Sequence, residues 1–195
     1  MTHLRSGLPV IVKRMTWEVK YGLLGYSFPA APRDVIEHLI STLSPRGNVL
    51  ELGCGSGTLL HGLRQAGYAG HYCGVDISQS AIGKASQRGD QKSSWIVSDI
   101  ESFRSPFLWD AIVMVESIYY LQLTALSSVL RRISSMRTPD GSLVVRVHDA
   151  EKHREYISEL YRVLPTTRKI GDRLFSAGPG ESFESSVRAT DAAAN

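Results

Sequence analysis

Three glycines alternate in Glu51-Leu52-Gly53-Cys54-Gly55-Ser56-Gly57, where the apolar run Val49-Leu50-Glu51-Leu52 gives way to a helical pattern. Lacking Cβ atoms there, the backbone can approach a ligand closely, and the N-terminal amides of the next helix face it. A tight strand-to-helix turn would use the same residues, so the loop takes its meaning from its neighbours. Glu51 just before it would repel a pyrophosphate but suit a cationic ligand, and Thr58 stands where a dinucleotide fingerprint wants its third small residue. Asp76 closes Tyr72-Cys73-Gly74-Val75-Asp76, near the offset of about twenty residues expected of an acid whose two oxygens take a ribose diol. It could equally cap the helix that follows. Asp99 ends Trp95-Ile96-Val97-Ser98-Asp99, where it could accept from an exocyclic adenine amine.

A second group of residues falls after later apolar runs, at the edge where α/β sheets present their ligand crevice. Glu116, Tyr119 and Tyr120 follow residues 111–115, and His148 follows residues 142–147. His148-Asp149 reads either as a base with its orienting acid or as an exposed turn in which Asp149 caps the next helix. Tyr119 and Tyr120 are either an aromatic wall for a cation or packing for the following helix. Near the N-terminus, Trp17, Tyr21, Tyr26 and Phe28 are interrupted by Gly22 and Gly25. That segment is either a lid made mobile by its glycines or a surface helix packed on the sheet. The six histidines and two cysteines show no ligand spacing, so no metal site is expected.

These residues need a scaffold, and the apolar runs supply one. Residues 48–52, 72–76, 95–97, 111–115 and 142–147 have strand length, and most are continuously apolar, as in strands covered on both faces of a parallel sheet. Helical periodicity occupies residues 33–43, 58–66, 80–88, 124–136 and 151–164. The alternation predicts a doubly wound α/β sheet with helices on both faces. Residues 173–176 and 182–187 flank Gly178-Pro179-Gly180 and predict a C-terminal antiparallel hairpin, bringing the sheet to seven strands.

Composition narrows the classes further. At 195 residues, with 43% hydrophobic and 21% charged side chains, the chain fits one globular domain with its own core. The expected organisation is a loose arm over residues 1–14, a single domain over 15–189 and a frayed tail over 190–195. A net charge of +3 with scattered Lys and Arg argues against nucleic acid. The run Leu8-Pro9-Val10-Ile11-Val12 is too short for a signal segment and Lys13-Arg14 follow at once, so no membrane partner is expected. Two cysteines read as reduced thiols of a cytoplasmic protein. The partner left is a small molecule; the sequence leaves the oligomeric state open.

Taken in order, VLELGCGSG, GVDIS, VSDIESF, WDAIVMVESIYYL and LRRISSMRTPDGSLVV resemble the motifs of class I S-adenosylmethionine-dependent methyltransferases, over roughly residues 49–148. The resemblance implies a Rossmann-like methyltransferase fold, with S-adenosylmethionine as cofactor and methyl transfer to a small acceptor as activity. By it, Gly53, Cys54 and Gly55 lie against the methionine part with Glu51 before them. Asp76 takes the ribose hydroxyls, Ile77 packs on adenine, Asp99 with Ile100 reads the adenine edge, and Glu116 lies near the methionine amine or the acceptor. Glu116, Tyr119 and His148 become the catalytic candidates, and Trp17, Tyr21 and Tyr120 the acceptor or lid residues. SSWIVSDIESF and VESIYYL are also similar to nodulation protein S and related small N-methyltransferases, which tilts the acceptor toward nitrogen, with oxygen or carbon as alternatives. A dinucleotide-binding oxidoreductase module and a non-catalytic cofactor-binding protein are the competing readings.

Overall fold

The runs of apolar residues bounded by glycine and acidic turns become a seven-stranded sheet in the computed structural model, which describes residues 8–26 and 30–178. The strands are β1 (Val49–Leu52), β2 (Tyr72–Asp76), β3 (Ser93–Val97), β4 (Trp109–Val115), β5 (Arg137–Arg146), β6 (Thr167–Lys169) and β7 (Leu174–Ala177). They lie in the order β3-β2-β1-β4-β5-β7-β6. The first five are parallel, and β7 is antiparallel to both β5 and β6. The chain winds outward from β1 in one direction to β3 and then reverses to β4. This reversal opens a crevice at the carboxyl ends of β1 and β4, the place where such sheets bind ligands.

The helices are α1 (Val10–Glu18), α2 (Arg33–Thr42), α3 (Thr58–Gln65), α4 (Gln79–Ser86), α5 (Leu126–Ser134) and α6 (Arg154–Val163). Strand side chains alternate between two cores, as the pleat requires. Leu50, Leu52, Ile112 and Met114 pack with Leu130 and Ile133 of α5 and Leu160 of α6. Val49, Tyr72, Ala111 and Val113 pack with Leu39 of α2 and Leu60 and Leu63 of α3 on the opposite face. Every residue of β1 and β2 is buried, which explains their continuous apolar character, whereas the edge strand β3 is only half-buried.

Several expectations need correction. The C-terminal hairpin exists, but Leu174–Ala177 pairs with the upstream Thr167–Lys169. The proposed downstream arm, residues 182–187, and the tail lie outside the described residues. The sequence Thr167-Arg168-Lys169 carries no apolar alternation because it forms the sheet edge, where charged residues discourage further pairing. Regular structure begins at Val10, five residues before Met15, so the boundary drawn at residue 14 falls inside α1. The helix–strand alternation is also broken once: β3 and β4 are joined by turns, without a helix.

Candidate functional site

Beyond the carboxyl ends of β1, β2 and β4 lies a cavity of about 550 Å³, within the range that holds small organic ligands. Its floor is the glycine loop between β1 and α3. Gly53, Gly55 and Gly57 all have positive φ, at 85°, 51° and 75°, a conformation that L side chains resist. Space as well as conformation requires glycine at all three, since a Cβ on Gly57 would come 2.8 Å from Trp95 Cη2. A Cβ on Gly53 would come 2.5 Å from Ser117 Cβ, and one on Gly55 would come 2.5 Å from the Tyr21 hydroxyl oxygen. Cys54 stands between them with its thiol buried, and burial pushes that thiol well above its ordinary range.

Glu51 is buried at the end of β1 and faces this cavity. Its carboxyl accepts from the Tyr72 hydroxyl, and its charged neighbour is another acid, Asp76. Burial dominates, pushing the group up to about 8 despite the Tyr72 bond. Asp76 is buried as well, and burial raises it against the pull of backbone hydrogen bonds. Its Oδ2 accepts from the Gly55 amide at 2.9 Å and its Oδ1 from the Ser78 amide at 2.9 Å. The Ile77 backbone is a further hydrogen-bond partner, and the carboxylate retains acceptor capacity for a ligand donor. The helix-capping role weighed for Asp76 falls to Ser78, whose Oγ accepts from Ala81 N at the start of α4. Ile77, Asp99 and Ile100 continue the wall, and burial raises the Asp99 carboxyl.

The opposite wall is organised by Glu116. The residue has φ +54°, the one positive value outside glycine among the described residues, and such strain concentrates at functional sites. Its Oε1 accepts from Arg146 Nη1. Its Oε2 accepts from the Tyr119 hydroxyl at 2.9 Å and the His148 amide at 2.8 Å, and lies 3.1 Å from His148 Nδ1. The carboxylate that partners His148 is therefore Glu116; Asp149 instead accepts from the Lys152 amide at 2.9 Å in the turn before α6. Tyr119 is buried and stacks on His153, with centroids 4.0 Å apart and planes 9° apart. Burial first, and Glu116 second, push its phenol far above the ordinary tyrosine range.

The N-terminal segment contributes Lys13, Trp17, Tyr21 and Tyr26 to the cavity wall. Trp17 meets Tyr120 edge-on at 5.1 Å, and Trp17, Tyr21 and Tyr26 form one ring cluster. The segment does not lie on the sheet. Instead Glu18 caps the first amides of α4, at Gln79 and at Ser80, and Lys84 donates to the carbonyls of Tyr21 and Tyr26 at 2.6 and 3.3 Å. Gly22 serves close packing, since a Cβ there would meet Ser80 Oγ at 3.1 Å. Phe28 lies outside the described residues.

All fourteen candidates from the sequence, from Trp17 to His148, line this one cavity. Sequence reasoning missed Lys13, Tyr72, Arg146 and His153. Lys13 is buried and donates to Glu101 at 2.8 Å, tying α1 to the turn after β3. The place of Lys13 directly after the apolar run Val10-Ile11-Val12 was the available signal. Arg146, on the strand facing β4, had none without the register.

The strand order and the cavity at its reversal define the Rossmann-like methyltransferase fold. Solved structures agree: the N-methyltransferase NodS from Bradyrhizobium japonicum WM9 superposes with a TM-score of 0.60 at 23% identity, covering 76% of this chain and 96% of that one. Magnesium protoporphyrin IX methyltransferase from Synechocystis PCC 6803 with bound SAH gives 0.68 at 15% identity, covering 88% and 100%. Residues 27–178 match the methyltransferase domain family, and the chain belongs to it. Nodulation protein S from Sinorhizobium fredii is 34% identical over 103 residues, 51% of this chain and 47% of that protein. Malonyl-[acyl-carrier protein] O-methyltransferase from Anoxybacillus flavithermus is 32% identical over 101 residues, 51% of this chain and 38% of that protein. The matched region thus spans half or less of these relatives' length.

Proposed function

We propose that this chain transfers the methyl group of S-adenosylmethionine to the nitrogen of a small amine. The observation that carries the cofactor assignment is Glu51: a buried carboxyl beside the glycine loop, with an acid as its charged neighbour, suits a ligand that brings its own cation. Gly53, Cys54 and Gly55 would hold the methionine part, Asp76 the ribose diol through its remaining acceptor capacity, Ile77 and Ile100 the adenine faces, and Asp99 the adenine amine. When bound, the cofactor supplies an electrophilic sulfonium methyl.

The protein's remaining work is to position the acceptor, exclude water and take up a proton. The Lys20 ammonium rests 4.3 Å from the Trp17 ring centroid, so these aromatic faces attract a cation, and Trp17 with Tyr120 would wall a neutral amine acceptor and the methylated ammonium it becomes. Glu116 fixes the His148 ring through Nδ1, which leaves Nε2 as the acceptor of the proton lost by the amine. Tyr119 holds Glu116 in place and His153 holds Tyr119. Relatives that are N-methyltransferases support the nitrogen reading. The His148–Glu116 pair also favours oxygen methylation as a second reading, because a hydroxyl acceptor needs such a base. Buried free thiols at Cys54 and Cys73 support a reducing, cytoplasmic setting. Among the described residues no helix is long and apolar enough to cross a membrane.

Calorimetric titration with S-adenosylhomocysteine against NAD tests the cofactor; NAD binding without a response to the nucleoside overturns it. Transfer of labelled methyl across amines, phenols and carboxylates tests the acceptor, and phenol turnover without amine turnover would favour oxygen.

A further inference from the structure

We propose that the outer face of α1 and the π-helical turn that continues it (Val19–Leu23) docks on an anionic lipid surface. Of the fourteen large apolar side chains exposed among the described residues, seven lie between Val10 and Leu24. Ile11, Met15, Val19 and Leu23 recur every fourth residue, with Leu24 beside them; Ile11 is 67% exposed, Met15 64%, Leu23 82% and Leu24 73%. This concentration exceeds the scatter of single apolar residues normal for a surface.

The segment has two apolar faces. Its inner face presents Trp17 and Tyr21 to the cavity, and its outer face presents the aliphatic row. Charge selects the occupant of that outer face. Lys13 is buried against Glu101, and the Glu18 carboxylate is occupied by the amides of α4. Arg14 is left as the exposed charge flanking the row, and the Lys20 ammonium sits over the Trp17 and Tyr26 rings toward its other end. An exposed aliphatic row with an exposed arginine beside it and no exposed acid between Val10 and Leu24 fits the boundary between acyl chains and anionic headgroups. A second copy of the chain would bring the same arginine into the contact.

The test is flotation of the full chain with vesicles of phosphatidylcholine mixed with phosphatidylglycerol, against phosphatidylcholine alone, at low and high salt. The wild type should float with the anionic vesicles, and salt should weaken it. Combined Ile11→Gln, Met15→Gln and Leu23→Gln should lower partition roughly tenfold or more, and Arg14→Ala about fivefold on anionic vesicles only. The triple variant should keep its thermal transition and its binding of S-adenosylhomocysteine. Should it fail to fold, Arg14→Ala and the salt series decide alone. Wild-type protein that stays with the soluble fraction overturns the proposal. So does a dimer that the triple variant dissociates without any vesicle binding, which would make this face a contact between copies. A chain that floats but ignores S-adenosylhomocysteine keeps this inference and removes the methyl-transfer reading.

Discussion

Replacing Glu51 with glutamine removes one proton-binding site while keeping an oxygen to accept from Tyr72. In the native chain the carboxyl sits at about 8, against 4.5 for an ordinary glutamate. Below about pH 4.5 both native and unfolded chains hold this proton, so the group contributes no difference. Between about 4.5 and 8 the native chain holds a proton that the unfolded chain has lost, so stability falls as pH rises through that window. The slope approaches roughly 1.4 kcal/mol per pH unit, and the passage from pH 5.5 to 7.5 costs about 2–3 kcal/mol. For a chain of this size that is roughly 4–12 °C in Tm. Thermal unfolding of the ligand-free protein across this range should show wild-type Tm falling more steeply than E51Q by that amount. Binding of S-adenosylmethionine should favour the ionised form, so calorimetry near pH 7 in buffers of different ionisation enthalpy should register proton release that E51Q lacks. Parallel Tm curves for the two proteins would refute the assignment of a neutral, cation-seeking Glu51.

Three further substitutions probe the remaining walls. Gly55→Ala combines a φ of +51° with a Cβ 2.5 Å from the Tyr21 hydroxyl oxygen, and should cost about 1–2 kcal/mol in strain alone while abolishing S-adenosylhomocysteine binding by calorimetry. Tyr119→Phe removes the 2.9 Å bond to Glu116 but keeps the stack on His153, so kcat should fall roughly tenfold with KM nearly unchanged, and an unaltered kcat would exclude Tyr119 as the support of Glu116. Trp17→Ala opens the acceptor wall; acceptor KM should rise about five- to tenfold with cofactor affinity held within about twofold, and full turnover at unchanged KM would remove the lid role.

Sequence legibility followed how locally each feature is determined. β1 and β2 were readable because burial on both faces demands continuous apolar residues, and the glycine loop was readable because positive φ and close approach both demand glycine. The start of α1 was misplaced because Val10 to Val12 remain exposed, so the segment lacks the buried stripe that normally marks a helix. The hairpin partner of β7 was misassigned because Thr167–Lys169 answers to an edge position, where charge is favoured over alternation. The first half of β5, Arg137 to Gly141, was likewise hidden by its polar and turn-forming residues.

The acidic residues of the site were found, yet half of their meaning lay in pairings across the sheet. Asp76, Asp99 and Glu116 could be placed at strand ends because each follows an apolar run. That Glu116 answers to Arg146 and His148 depends on the β4–β5 register, in which Val115 stands opposite Arg146. A shift of one residue would turn Arg146 to the other face and strip Glu116 of its guanidinium. The local sequence His148-Asp149 offered a nearer acid, but neighbours along a strand end point to different sides, so the carboxylate that reached the imidazole came from the adjacent strand. The strained backbone at Glu116 is what turns its carboxylate toward β5, where it meets four donors at once. If that strain serves the pairing, Glu116→Gly should relieve the backbone yet lose catalysis, gaining stability from φ while leaving Arg146 without its nearest acid; a variant that gained both stability and turnover would show that the strain is incidental to the site.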